Sequence, residues 1–116
     1  MEITSKINDT TYLIEIDGAI VGTHAEEFNR YLSSINFARL GITDLIMDFS
    51  QASMIDSIGI EAINHAQEQR LTVSILNPQG LVKDMLDWAS LTGRLSHFVQ
   101  IINPVEKVYE PALSKP

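Results

Sequence analysis

The segment TDLIMDFS, residues 43–50, constrains the fold more than any other stretch of the chain. Leu45, Ile46, Met47 and Phe49 occupy both parities of the run. Successive side chains of a strand point to opposite faces, so a sheet buried on one side only would leave part of this set in water. A strand of this composition needs cover on at least part of both faces, which places it inside a layered fold. Gly41 and a polar loop bound it.

The flanking sequence supplies the layers. EITSKI and TYLIEIDG are rich in β-branched and aromatic residues and are separated by NDT, a turn composition. They predict strands over 2–7 and 11–17. Ala25, Phe28, Leu32 and Ile35 recur at helical spacing and predict a helix over 24–36, with Thr23 and Glu26 in the arrangement of a capping box. A second helix is predicted from Ser57 to Arg70, with Gly59, Ala62, Ile63 and Ala66 on its inner face. LTVSIL follows as a strand. NPQGLVKDMLDWASLTG then predicts a helix with Asn77 as its cap, Pro78 in its first turn, and Leu81, Val82, Met85 and Ala89 inward. Gly93 is placed to end it. Trp88 lies at the margin of the inner stripe, a core position. HFVQII is a last strand, and NPVEKVYEPAL a short last helix. The order β-β-α-β-α-β-α-β-α predicts an α/β fold of one domain over residues 1–116, its later strands parallel and joined by right-handed crossovers.

Charge and composition argue against several functions. Eight Lys and Arg stand against fifteen Asp and Glu, a net charge of −7. That lacks the basic footprint of a nucleic-acid binder and is unsuited to anionic lipid. No cysteine is present, so disulfides and thiolate metal sites are ruled out. No apolar run reaches the roughly 20 residues of a membrane span, and the N-terminus has no signal-peptide pattern. These features lead to the expectation of a cytoplasmic protein.

Chemistry-bearing motifs are also missing. The chain has no Walker-type phosphate loop, no GxGxxG after a strand and no GxSxG elbow. His24, His65 and His97 fall on three separate elements, none with a partner at metal-ligand spacing. Neither a cofactor nor a catalytic centre is expected. Asp48 and Asp56 sit at a distance along the chain that allows proximity. The plainer assignment has Asp48 ending a strand and accepting loop N–H groups, with Asp56 capping the next helix.

One junction remains, IDSIG at residues 55–59. A serine at a helix N-terminus can cap it, a contribution on the order of 1 kcal/mol. It can also carry a phosphate. The free N–H groups and positive dipole end of a helix tolerate the added charge of about −1.5 to −2. A partner covering Ser57 would have to bury that charge beside Asp56, which is unfavourable by several kcal/mol. Phosphorylation would then break a complex and leave the fold intact.

LIMDFSQASMIDSIGIEAI resembles the signature of STAS domains, the family of bacterial anti-sigma factor antagonists. Asp48, Ile55, Asp56, Ser57 and Gly59 match its apolar strand, Asp, short loop, hydrophobic residue and Asp-Ser-small-Gly helix start. IDGAI is similar to the family's glycine-containing turn, and LTGRLSHFVQIINPVEKVYE to its ending. The resemblance spans nearly the whole chain. It implies the STAS fold, a mixed sheet packed against helices, and a partner-switching regulator without catalytic activity. It makes Ser57 the phosphoacceptor of a serine kinase with a histidine-kinase-like ATPase fold, which also holds a sigma factor or other effector. A PP2C-type phosphatase would reset the serine. Asp48, Asp56, Ser57, Ile58, Gly59 and Glu61 would form the partner-binding region, with Asp48 shaping the recognition loop. Ile58 departs from the family's usual Ser, Thr or Ala and reads either as locally buried or as a contact for an unusual partner. STAS proteins also serve as accessory subunits that brace the ATPase of lipid-transporting ABC systems. In that alternative Ser57 is a cap without a switch.

Overall fold

The computed structural model describes residues 1–95 and the strand Gln100–Ile102. The elements run β1 (Glu2–Asn8), β2 (Thr11–Ile20), α1 (Thr23–Ser33), β3 (Asp44–Ile55), α2 (Ser57–Gln67), β4 (Thr72–Leu76), α3 (Gly80–Leu91) and β5 (Gln100–Ile102). The strands form one mixed sheet in the order β1-β2-β3-β4-β5. The β1–β2 pair is an antiparallel hairpin, and each later pair is parallel. The predicted last helix falls outside the described residues.

The helices pack on one face of the sheet. Ile14 and Ile16 of β2, Leu45, Met47 and Phe49 of β3, and Val73 and Ile75 of β4 point into a common core. α1 contributes Ala25, Phe28 and Leu32 to it, and α2 contributes Ile60, Ala62, Ile63 and Ala66. Each fully buried Ile or Phe in this layer contributes roughly 1.5–3 kcal/mol relative to exposure. The alternate residues of the central strands are covered too. Leu13, Asp48 and Leu76 are all less than 10 % exposed. The two-sided burial expected of TDLIMDFS is therefore found.

Several boundaries differ from the sequence expectation, each for a local reason. β2 runs on to Ile20, so the glycine of IDGAI sits in a strand and not in a turn. Gly18 has φ +111° at a register shift against β3, a backbone setting that favours glycine. Thr23 is the first residue of α1 and not its cap. Gly22 takes the cap position at φ +57°, with no side-chain cap bond. Asn77 and Pro78 do not open α3. Asn77 adopts a left-handed φ of +50°, Gln79 is the extended cap residue, and the helix starts at Gly80. The far end of α3 is as expected. Gly93 turns left-handed at φ +76° and the Arg94 amide donates back to Ala89 at 2.9 Å.

The α3 stripe is also rotated from its predicted phase. Val82, Leu86 and Ala89 face the core, Met85 is half-buried, and Leu81 is exposed. Trp88 is 42 % exposed, which corrects its assignment to the core.

Among the described residues no helix is long and apolar enough to cross a membrane.

One titration follows from the packing of α1 on β2. The Tyr12 and Tyr31 hydroxyls lie 3.0 Å apart. Burial raises the Tyr31 pKa above its ordinary value. A hydrogen bond with Ser5 opposes the rise, and the bond and charge of Tyr12 reinforce it. The folded state thus holds the phenolic proton more tightly than the unfolded chain. Its contribution is complete below the unfolded value near pH 10 and is lost as pH climbs through the folded value. Thermal melts between pH 9 and 11.5 should show stability falling from about pH 10. Tyr31→Phe should flatten that part of the profile.

Candidate functional site

The junction of β3 and α2 is built around Asp56. Its backbone is extended, with φ −109° and ψ −174°, and its N–H donates to the Ile20 carbonyl at 3.1 Å. Its carboxylate accepts two amide N–H groups. Oδ1 takes the Gly59 N–H at 3.1 Å and caps α2, while Oδ2 takes the Gly22 N–H at 2.8 Å. One side chain thereby closes a helix end and ties it to the neighbouring β2–α1 loop. The left-handed Gly22 is what turns its amide into that loop's interior edge.

Because Asp56 takes the cap, Ser57 does not. Ser57 is the first residue of α2, it is exposed, and its hydroxyl has no hydrogen-bond partner among the described residues. Of the two residues that could cap this helix, the structure selects the carboxylate. A charged acceptor at a helix N-terminus is favoured over a hydroxyl by the helix dipole.

Gly59 holds α2 against the sheet. A Cβ on it would lie 2.6 Å from Ile55 Cγ1 and 3.1 Å from Ile20 Cγ2. Both isoleucines are fully buried and have no room to withdraw. The motif glycine is thus required by close packing and not by backbone conformation. Gly59→Ala should destabilise the fold by about 1–3 kcal/mol from overpacking, partly offset by alanine's better helix propensity. Denaturant unfolding would show this as a lower midpoint at an unchanged m-value.

Ile58 is half-buried and packs against the core, the first of its two readings. Glu61 is exposed on the turn that follows Ser57, on the same side of α2. Glu61 and Ser57 thus share one exposed face of α2.

Asp48 stands apart from them. β3 does not end at Asp48 but continues to Ile55, so seven residues of strand separate the two aspartates, on the order of 25 Å. Asp48 lies on the face away from the helices, 6 % exposed, in register with Glu15 and Leu76. Its Oδ1 accepts the Ser50 N–H at 2.9 Å, where Phe49 and Ser50 of β3 oppose the single residue Ile16 of β2. It therefore shapes a bulge within the strand and not the loop at Ser57. With Glu2, Glu15 and Asp17 it lines a small acidic hollow. The pairing of Asp48 with Asp56 is not formed.

Two features of the site escaped the sequence. The first is the bond from Gly22 to Asp56, which joins residues 34 apart. The second is a groove beside Ser57, walled by Met54, Ile55, Met85 and Trp88. Its signal in the sequence is the apolar line Leu81, Met85, Trp88 at helical spacing.

Comparison with known proteins bears on the family and the fold. The STAS domain profile matches residues 2–107. No curated protein matches the chain in sequence. Solved structures do match in fold. The anti-sigma factor antagonist SpoIIAA in its unphosphorylated form shares 14 % identity, with a TM-score of 0.69 over 99 % of this chain and 100 % of that one. The phosphorylated form of SpoIIAA, a Bacillus cell fate determinant, shares 16 % identity at a TM-score of 0.69, covering 95 % and 97 % of the two chains. An anti-sigma factor antagonist from Mycobacterium paratuberculosis shares 12 % identity at a TM-score of 0.71, covering 98 % and 94 %.

Proposed function

The chain belongs to the STAS-domain family, and we propose that it is a phosphorylation-controlled partner-switching regulator of the anti-sigma factor antagonist type. It acts by binding and not by catalysis, in a bacterial cytoplasm. Unphosphorylated, it binds a serine kinase of histidine-kinase-like ATPase fold and frees the effector that kinase holds. Phosphate on Ser57 ends the complex, and a PP2C-type phosphatase restores the serine.

The observation that carries this reading is the division of labour at the start of α2. Asp56 performs the structural work, with bonds to Gly59 and Gly22. Ser57 is left exposed, with a hydroxyl free to react. Phosphorylation there costs the fold no cap and places the new charge beside helix N–H groups and next to a fixed carboxylate. The protein stays folded while any surface that must cover Ser57 without water is repelled.

The test is intact-mass and peptide mass spectrometry on protein isolated from its own cells, with and without phosphatase treatment. Phosphate on Ser57 that the phosphatase removes is the expected result. Its absence in every growth condition would overturn the switch and favour the accessory-subunit role with an ABC-type ATPase.

A further inference from the structure

β1 is an edge of the sheet, with β2 as its one neighbour among the described residues. It keeps seven residues in unbroken register with β2, and all but Ile3 and Asn8 are exposed. Ile7 is 56 % exposed. Alternate residues of an antiparallel edge direct their backbone N–H and C=O groups outward, so such a strand is a template for one more. Proteins usually close an edge by shortness, proline, a bulge or a lysine. β1 has no proline, no glycine and no bulge. Lys6 is the one such device on it.

The charges of this strand are not answered within one molecule. Ile3 packs toward the core, which puts Glu2, Thr4 and Lys6 on the sheet face away from the helices. There Glu2 stands directly opposite Asp17, and Thr4 opposite Glu15. All four line the acidic hollow that includes Asp48. Like charges directly opposite each other are unfavourable. Lys6 stands opposite Leu13 and makes no ion pair among the described residues, Glu15 on the neighbouring strand included. The strand therefore lacks a cation at its Glu2 end and an acid at its Lys6 end.

We infer that β1 pairs antiparallel with β1 of a second copy of the chain, about a two-fold axis at Thr4. Positions 2 and 6 are equidistant from Thr4, so the axis forms both missing ion pairs at once. Glu2 opposes Lys6 of the second copy, and Lys6 opposes Glu2 of the second copy. Each acidic hollow thereby gains a lysine at its rim, beside the Glu2–Asp17 pair. Thr4 faces its own counterpart, a favourable cross-strand pair. Pairing about Ser5 would instead set Lys6 against Thr4 and Glu2 against Asn8, with neither charge answered. The lysine that discourages other strands thus selects this one. The contact is isologous and closes at two copies, joining two five-stranded sheets into one. β3 runs antiparallel to β1 in each copy, so the two Ser57 ends point in opposite directions.

The test is sedimentation equilibrium of the full chain from about 10 μM to about 1 mM. The wild type should show a monomer–dimer equilibrium that added salt weakens. Glu2→Lys and Lys6→Glu each set like charges opposite one another on both sides of the axis, and each should weaken dimerisation about tenfold or more. An equimolar mixture of the two variants should dimerise again, because every charged pair across the axis is then Lys against Glu. Both positions are exposed, so circular dichroism melts should show both variants folded, with Glu2→Lys melting no lower than the wild type because it removes the repulsion from Asp17. A wild type that stays monomeric at about 1 mM would overturn the inference. So would single variants that dimerise like the wild type, which would place the contact elsewhere, or a mixture no more associated than its parts. The assay uses unphosphorylated protein and no partner, so it succeeds or fails separately from the switch at Ser57.

Discussion

Ser57→Asp is expected to lower affinity for the proposed kinase partner by about 100-fold, while leaving the fold as stable as the wild type or slightly more so. The loss follows from placing a second carboxylate beside Asp56 in a contact that excludes water. Like charges so placed cost several kcal/mol, and each 1.4 kcal/mol is tenfold in affinity. The stability follows from position. Ser57 is the first residue of α2 and its hydroxyl holds no bond to lose. An acid in the first turn gains about 0.3–1 kcal/mol from the helix dipole. Ser57→Ala should keep the wild-type affinity and fix the complex in its bound state, because the methyl group adds no charge and removes only the acceptor of the phosphate. Calorimetric titration of both variants against the purified kinase, beside thermal melts, decides the matter. If both variants bind like the wild type, the switch is refuted.

Asp56→Ala should produce the largest loss of stability among single changes at the site, about 2–3 kcal/mol. The α2 cap contributes about 1 kcal/mol. The charge-assisted bond to Gly22 adds roughly another 1–2, reduced from its buried value because it is exposed. For a domain of this size the midpoint of thermal unfolding should fall by roughly 10–15 °C. Asp56→Asn should lose less, since its amide oxygen still accepts one N–H. A double-mutant cycle is not available for the Gly22 partner, a backbone amide, so hydrogen exchange supplies the local readout. The Gly22 amide should exchange faster in Asp56→Ala, together with that of Gly59. Unchanged protection at Gly22 would show that the bond between the two loops contributes nothing.

Asp56 also explains how the family motif serves two purposes in adjacent positions. A capping serine would have its hydroxyl engaged and would lose a bond on phosphorylation. Moving the cap one residue back releases the serine without weakening the helix. Gly59 then lets α2 approach Ile20 and Ile55 closely enough to set the serine at the sheet's end. On the proposed function, stability and switching would rest on different side chains, so the predictions for Ser57 and Asp56 differ in kind. One changes binding and spares the fold, and the other changes the fold.

Local patterns carried the sequence reading a long way. The two-sided apolar run of β3, the helical spacing of Ala25, Phe28 and Leu32, and the inner face Gly59, Ala62, Ile63 and Ala66 all appear in the structure as read. They were legible because burial periodicity is a property of neighbours in sequence. The junction IDSIG was legible as a helix start for the same reason.

The misreadings occurred where distant groups compete. Thr23 had the chemistry of a cap, but Asp56 from another loop fixes Gly22 in the cap position instead. Asp48 and Asp56 looked close because a loop was expected between them, and the β2 bulge pairing keeps that segment in the strand. Trp88 and Leu81 looked inward because α3 carries two apolar lines of nearly equal strength. Helical spacing identifies such lines but does not say which one the sheet accepts.

The amino-acid order by itself determined the element sequence from β1 to β5, the layered α/β class and the place of Ser57 at the mouth of a helix, since each depends on short-range pattern and propensity. The cap at Asp56, its bond to Gly22, the separation of Asp48 and the apolar groove beside Ser57 were settled by folding. Each of these is a choice among partners far apart in the chain, and only packing in three dimensions sets which partners meet.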